Sequence, residues 1–264
     1  MRFADTHSHL DFKEFDGCRS RLLTACEASS IDLVVVPAVV SRTWDQLKLL
    51  SEQNRSVYAA YGLHPLFIDE HCESDLELLN VWLATERGGK GKKVVAVGEI
   101  GLDISAGDMP KQKEFFEEQL SLAEEFALPV ILHSRKMHAD VLKSLKYYKL
   151  VGGVFHAFSG SYEQLLEFTK LGVKIGVGGV ITWPRSTKTR RAIAKAPLES
   201  LVLETDSPDM LVNSKIERGF DLKSSPLNVL DVFAELCVIR SEAPDVIADQ
   251  LWRNSQNIFF PKLN

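Results

Sequence analysis

No stretch of the 264-residue chain is apolar for long enough to cross a bilayer. The longest such run, Ile31 to Val40, is interrupted by Asp32 and Pro37 and falls far short of the ~20 residues a spanning helix needs. Nothing in the first residues resembles a signal peptide, since Met1-Arg2-Phe3-Ala4 runs directly into Asp5 and His7 without an apolar h-region. Cysteine is scarce: the four residues Cys18, Cys26, Cys72 and Cys237 form no CxxC pair, which argues against a zinc finger or disulfide framework and suits a reducing compartment. Positive charge is not in surplus. Lys and Arg total 31 against 36 Asp and Glu, a net charge of −5, so any attraction to nucleic-acid phosphate must be local. Low-complexity segments are absent, and the one linker-like stretch is Gly88-Gly89-Lys90-Gly91. From these features the chain is expected to be soluble and cytoplasmic, with no membrane association and no evident obligate protein partner.

The sequence does contain short β-branched runs with helical patterns between them, the signature of βα units around a buried parallel sheet. Eight strands are expected, at Met1 to Asp5, Leu33 to Ala38, Val57 to Gly62, Lys93 to Gly98, Pro129 to His133, Gly153 to His156, Val173 to Gly178 and Leu201 to Asp206. Helices are expected near Cys18 to Ser29, Thr43 to Gln53, Asp75 to Glu86, Gln112 to Phe126, Met137 to Tyr148, Tyr162 to Leu171 and Thr187 to Lys195. Asn228 to Ile258 reads as one or two closing helices, and Ser207 to Ser225 as a long loop. An open doubly wound sheet shares this alternation. The position of the chemistry decides for an α/β fold of the (β/α)₈ TIM-barrel type with extra C-terminal helices, in one domain over residues 1–264.

In such a barrel the active site lies at the carboxyl ends of the strands. His7 and His9, two residues apart, share one face of an extended segment and can grip one cation. His133 ends Pro129-Val-Ile-Leu-His, His156 ends Gly153-Val-Phe-His, Glu99 follows Val94-Val-Ala-Val-Gly, and Asp206 ends Leu201-Val-Leu-Glu-Thr-Asp. Each polar group closes an apolar run, a costly place unless a metal ion or hydrogen bonds compensate. Mixed nitrogen and carboxylate donors are what borderline divalent cations select.

Six motifs occur in order: Asp5-Thr-His-Ser-His-Leu10, Gly62-Leu-His-Pro65, Gly98-Glu-Ile-Gly-Leu-Asp103, His133-Ser-Arg135, His156-Ala-Phe-Ser-Gly160 and Leu203-Glu-Thr-Asp206. With these the chain resembles the TatD-type metal-dependent deoxyribonucleases, a branch of the amidohydrolase-like barrels. The resemblance implies that His7, His9 and Asp206 hold one divalent ion, that His133 and His156 hold a second, and that Glu99 bridges them. Zinc and manganese suit this donor set, and magnesium suits it less well. DNA is the implied substrate, cleaved at phosphodiester bonds by a metal-activated water. Asp206 is the candidate general base and, with Glu99, the candidate catalytic pair; Asp206 as a ligand alone is the alternative.

Other groups carry weaker readings. His64 is a candidate phosphate contact or a support behind a metal ligand, with fixing of its own loop as the plainer reading; Arg135 is a candidate phosphate contact, with a rim salt bridge as the plainer reading. Glu204 shares the inward parity of Asp206 and either orients a ligand from beneath or belongs to a buried polar network. Arg185, Lys188, Arg190 and Arg191, beside Trp183, form a basic cluster that reads as solvated surface or as a nucleic-acid contact. Ala157 stands where the motif often has Cys, a neutral packing change. Glu217 to Pro226 departs from the family's Arg-Gly-Lys-Arg-Asn-Glu-Pro-like loop, keeping only Arg218-Gly219 and Pro226. That departure leaves a second class of function open, hydrolysis of a small phosphoester, amide or lactone. A non-enzymatic scaffold would have no use for six converging polar groups.

Overall fold

The computed structural model describes residues 1–87, 93–213 and 223–261. The Gly88 to Gly91 stretch and the Arg218-Gly219 landmark lie outside the described residues. Eight parallel strands pair in chain order: β1 (Phe3–Asp5), β2 (Ile31–Pro37), β3 (Val57–Tyr61), β4 (Val94–Asp103), β5 (Val130–Arg135), β6 (Gly153–Phe155), β7 (Val173–Val177) and β8 (Leu201–Leu203). Between them run α1 (Arg19–Ala28), α2 (Trp44–Gln53), α3 (Glu73–Arg87), α4 (Met109–Glu125), α5 (His138–Leu145), α6 (Tyr162–Thr169) and α7 (Thr187–Lys195). Two helices follow, α8 (Val229–Ile239) and α9 (Pro244–Phe259). The circle closes where the Thr6 N–H donates to the Leu203 carbonyl at 2.9 Å and Ser8 bridges Ser207. The expected (β/α)₈ TIM barrel with additional C-terminal helices is the fold.

The strand period of two sorts the apolar residues into two layers. Val34, Ala59, Val130, Leu132 and Leu203 pack outward into the shell of helices, whereas Leu33, Val35, Ala60, Ile131, Val154 and Val202 fill the barrel interior. Ile258 and Phe259 of α9 belong to the interior cluster. A side chain on Gly152, which precedes β6, would strike Ile258 Cδ1 at 2.6 Å, so α9 seals the end of the barrel where the strands begin. Each such fully buried aliphatic side chain contributes ~1.5–3 kcal/mol. Apolar packing therefore fills the floor, and polar chemistry is confined to the opposite rim.

Two strand ends differ from expectation by more than two residues. β4 continues five residues past Gly98, through Glu99 to Asp103, because Ile100 and Leu102 find partners in Leu132 and Ser134 after a register shift. Glycine permits this: a Cβ on Gly98 would lie 2.7 Å from Ile131 Cβ, and Gly101, at φ +150°, lies against the His133 carbonyl. β8 stops at Leu203, earlier than expected, and Glu204 to Asp206 form the turn into the loop, with Asp206 at φ +52°. Aspartate is one of the few side chains that tolerate this left-handed conformation.

Candidate metal centre

The strand ends bring all six expected donors together, and the two carboxylate oxygens of Glu99 divide them into two groups. On the Oε2 side, His7 Nε2 lies 3.2 Å away and His9 Nε2 3.5 Å away. The two ring nitrogens are 3.3 Å apart and stand 3.5 and 3.6 Å from Asp206 Oδ1. Four donors at 2.0–2.1 Å from a tetrahedral cation are separated by about 3.3–3.4 Å, so this cage has the right size as well as the right chemistry. On the Oε1 side, His156 Nε2 stands at 2.8 Å, His64 Nε2 at 3.0 Å and His133 Nδ1 at 3.1 Å. Among the described residues, three donor sets fall within 4.8 Å: His7, His156 and Asp206; His7, His9 and Glu99; His64, Glu99 and His133. The donor atoms fit a divalent cation, with Glu99 in the middle of the set.

Hydrogen bonds decide which ring nitrogens have a free lone pair. His9 Nδ1 lies 3.2 Å from the Pro37 carbonyl, an acceptor, so Nδ1 carries the hydrogen and Nε2 is free for a cation. His64 is the reverse case. Its Nδ1 accepts the Leu66 N–H at 3.0 Å, so Nε2 carries the hydrogen and donates to Glu99 Oε1. A nitrogen bearing hydrogen is no ligand, and His64 is 4% exposed; its geometry is that of a support for Glu99. The stacked rings of His7 and His156, 4.1 Å apart, have no partner at Nδ1 among the described residues.

Burial and mutual attraction set the charges. Burial alone would raise the Glu99 pKa, but His156, His64 and His7 hold the carboxyl well below its usual range. Burial works against protonation of His9 and His156, yet Glu99 lifts them to about 9 and about 10. Burial brings His64 down to about 4. The metal-free centre thus balances its carboxylates with imidazolium protons, which a divalent cation would displace. Burial, opposed by His156 and His9, raises Asp206 above the ordinary carboxylate range. Asp206 also keeps 17% of its side chain exposed, against 1% for Glu99, and so faces the open rim.

The remaining candidates fall around this centre. Glu204 lies fully buried beneath it; Oε1 accepts the Ala157 N–H at 2.5 Å, Oε2 has no partner among the described residues, and burial raises its pKa to about 8. Gly176 of β7 makes room for it, since a Cβ there would collide with Oε2. Ala157, at φ +48°, thus supplies a backbone donor in addition to packing. Arg135 is exposed on the rim, with Nη1 donating to Ser105 Oγ at 3.2 Å. In the basic cluster, Arg190 is tied to Glu235 at 2.5 Å and to the Ile181 carbonyl, while the Arg185 guanidinium covers the Trp183 ring at 4.7 Å.

Two residues outside the expected set complete the centre. Asp5 accepts the Thr205 N–H at 2.9 Å and its hydroxyl at 2.6 Å, joining β1 to the β8 turn behind His7. Asp103 Oδ2 lies 2.9 Å from His133 Nε2. Its signal in the sequence is parity with Glu99, four residues earlier on one extended segment.

A barrel that presents imidazoles and carboxylates around one shared glutamate is the framework of a metal-dependent hydrolase. The model of the TatD related DNase family matches residues 4–260, and the chain belongs to that family. It is 44% identical over 262 residues to the uncharacterized metal-dependent hydrolase YjjV of Escherichia coli K12, covering 98% of both chains. The crystal structure of that TatD homolog superimposes with a TM-score of 0.89 over 98% of each chain. The chain is also 27% identical over 260 residues to the 3'-5' ssDNA/RNA exonuclease TatD of Citrobacter koseri, covering 97% of this chain and 98% of that one.

Proposed function

We propose that this metal-dependent hydrolase cleaves phosphodiester bonds of DNA with two divalent cations held on opposite sides of Glu99. The observation that carries the reading is the split of the Glu99 carboxylate, Oε2 toward His7 and His9 and Oε1 toward His133 and His156. Bound there, cations supply Lewis acidity and a nucleophilic water at neutral pH. His7, His9 and Asp206 bind on the Oε2 side, and His133 and His156 on the Oε1 side. Asp206, rim-facing and with a raised pKa, accepts the proton of the attacking water. Arg135 contacts substrate phosphate from the rim. His64 holds Glu99 through its Nε2–H, and Glu204 steadies the backbone after His156 from below. DNA as substrate is supported by family membership and by the exonuclease name of the Citrobacter relative.

The test is cleavage of end-labelled single-stranded DNA by metal-reconstituted protein, with Mg²⁺, Mn²⁺ and Zn²⁺ compared and Asp206→Ala prepared identically. Degradation by the wild type alone supports both substrate and site. A wild type that binds two cations per chain yet leaves DNA intact would sink the nuclease reading, and small phosphoesters, amides and lactones would replace DNA as substrates.

A further inference from the structure

We propose that Asp103 is the positioning residue that fixes His133 in the tautomer able to hold a cation, with Ser105 anchoring Asp103 for that task. This rests on the metal-centre reading above. The His133 ring stands between two carboxylates: Nε2 is 2.9 Å from Asp103 Oδ2, and Nδ1 is 3.1 Å from Glu99 Oε1. Both carboxylates only accept, and a neutral imidazole has one hydrogen to give. If Asp103 takes it, the Nδ1 lone pair faces Glu99 and His156, ready for a cation. If Glu99 takes it, the same nitrogen carries hydrogen and the Oε1 side is closed to metal. The competition is decided by which carboxylate is better placed.

Asp103 is built to win it. Its side chain is fully buried, and its Oδ1 accepts the Ser105 N–H at 2.7 Å and the Ser105 hydroxyl at 2.5 Å, leaving Oδ2 for the ring. Its backbone is held on both sides by Gln112, whose Oε1 accepts the Asp103 N–H at 2.9 Å and whose Nε2 donates to the Asp103 carbonyl at 3.1 Å. The register shift in β4 aligns Gly101 with His133 and Asp103 with Arg135, which sets the carboxylate diagonally across from the ring. Ser105 Oγ accepts from Arg135 Nη1, so a directed chain of donors runs from the rim guanidinium through Ser105 and Asp103 to the ligand ring.

The tautomer can be read directly by long-range ¹H–¹⁵N correlation on full-length, metal-free protein with ¹⁵N-labelled histidine, at a pH where the ring is neutral. His133 should appear as the single Nε2–H form in the wild type and move toward Nδ1–H in Asp103→Ala, while His9, locked by the Pro37 carbonyl, stays unchanged. In a two-step Zn²⁺ titration by equilibrium dialysis, one step should weaken ~10–100-fold in Asp103→Ala and the other should hold. Asp103→Asn, which keeps an acceptor oxygen, should restore most of the lost affinity. The proposal fails if wild-type His133 is already Nδ1–H, or if Asp103→Ala changes neither tautomer nor affinity. It also fails if His9 and both steps are disturbed together, which marks general structural support. A single-tautomer His133 in a protein that does not cut DNA would remove the nuclease reading and leave this one standing.

Discussion

The two sides of Glu99 are built by different means. The Oε2 side stands on the seam between first and last strands, where backbone bonds hold the candidate ligands: the Asp206 N–H donates to the His7 carbonyl, and the His9 N–H to the Ser207 carbonyl, each at 2.8 Å. Its His9 is locked by a carbonyl too. The Oε1 side draws on β5, the residue after β6 and the residue preceding a short turn after β3, and its His133 is locked by a side chain. A backbone lock survives any substitution that preserves the fold, whereas a side-chain lock can be removed by one. The Oε2 side is therefore the more robust half and the Oε1 side the more adjustable one.

The most severe way to test that division is to remove what both sides share. Glu99→Ala should weaken both cation steps and lower hydrolysis by ~10⁴-fold or more, since several kcal/mol of charge stabilisation disappear. Loss of only one step in the dialysis would show that the sides do not meet at Glu99. Next in size, Asp206→Asn should cost ~10²–10⁴-fold in turnover while the Oε1-side cation remains bound. If that cation is lost as well, the two halves are one unit.

Proton linkage gives a smaller, graded comparison, because each side has an imidazole with a strongly raised pKa, His9 at about 9 and His156 at about 10, and the Asp103 and Glu99 carboxylates raise His133 as well. Cations must displace these protons, so affinity should rise with pH, with proton release visible by calorimetry in buffers of different ionisation enthalpy. For the metal-free fold the sign is opposite. A raised folded-state pKa stabilises fully below the unfolded value of 6.5, and that contribution is lost as pH rises through about 9 and about 10. The melting temperature of metal-free protein should fall over that window, and a flat profile would show that these imidazoles are not held charged. Smallest of all, Gly176→Ala beneath His156 should cost ~1–3 kcal/mol by forcing Glu204 aside. Adding Glu204→Ala should recover most of it, and a strictly additive double mutant would disprove the contact.

Much of this was legible in the sequence because the barrel and the ligands write the same signal: an apolar run that ends on one polar group. His133, His156 and Glu99 could be placed that way, and His7 and His9 by their spacing. Asp103 escaped because β4 reads as ending at Gly98, and only the register shift carries the strand on to it. The choice between the two roles open to His64, phosphate contact or support of a ligand, could not be made for a different reason. Its tautomer is set by the backbone N–H of Leu66, and a sequence holds no record of which ring nitrogen a backbone group meets. Gly176 shows the intermediate case, an inward glycine whose meaning requires knowing that Glu204 stands opposite.

The helix that seals the barrel floor also orders events in time. Ile258 and Phe259 follow every strand they cover, so a nascent chain can pair all eight strands while their interior is still open to water. Without that helix the interior ends of the strands would stay open to water, so its removal should leave a leaky ring of strands in place of a finished barrel.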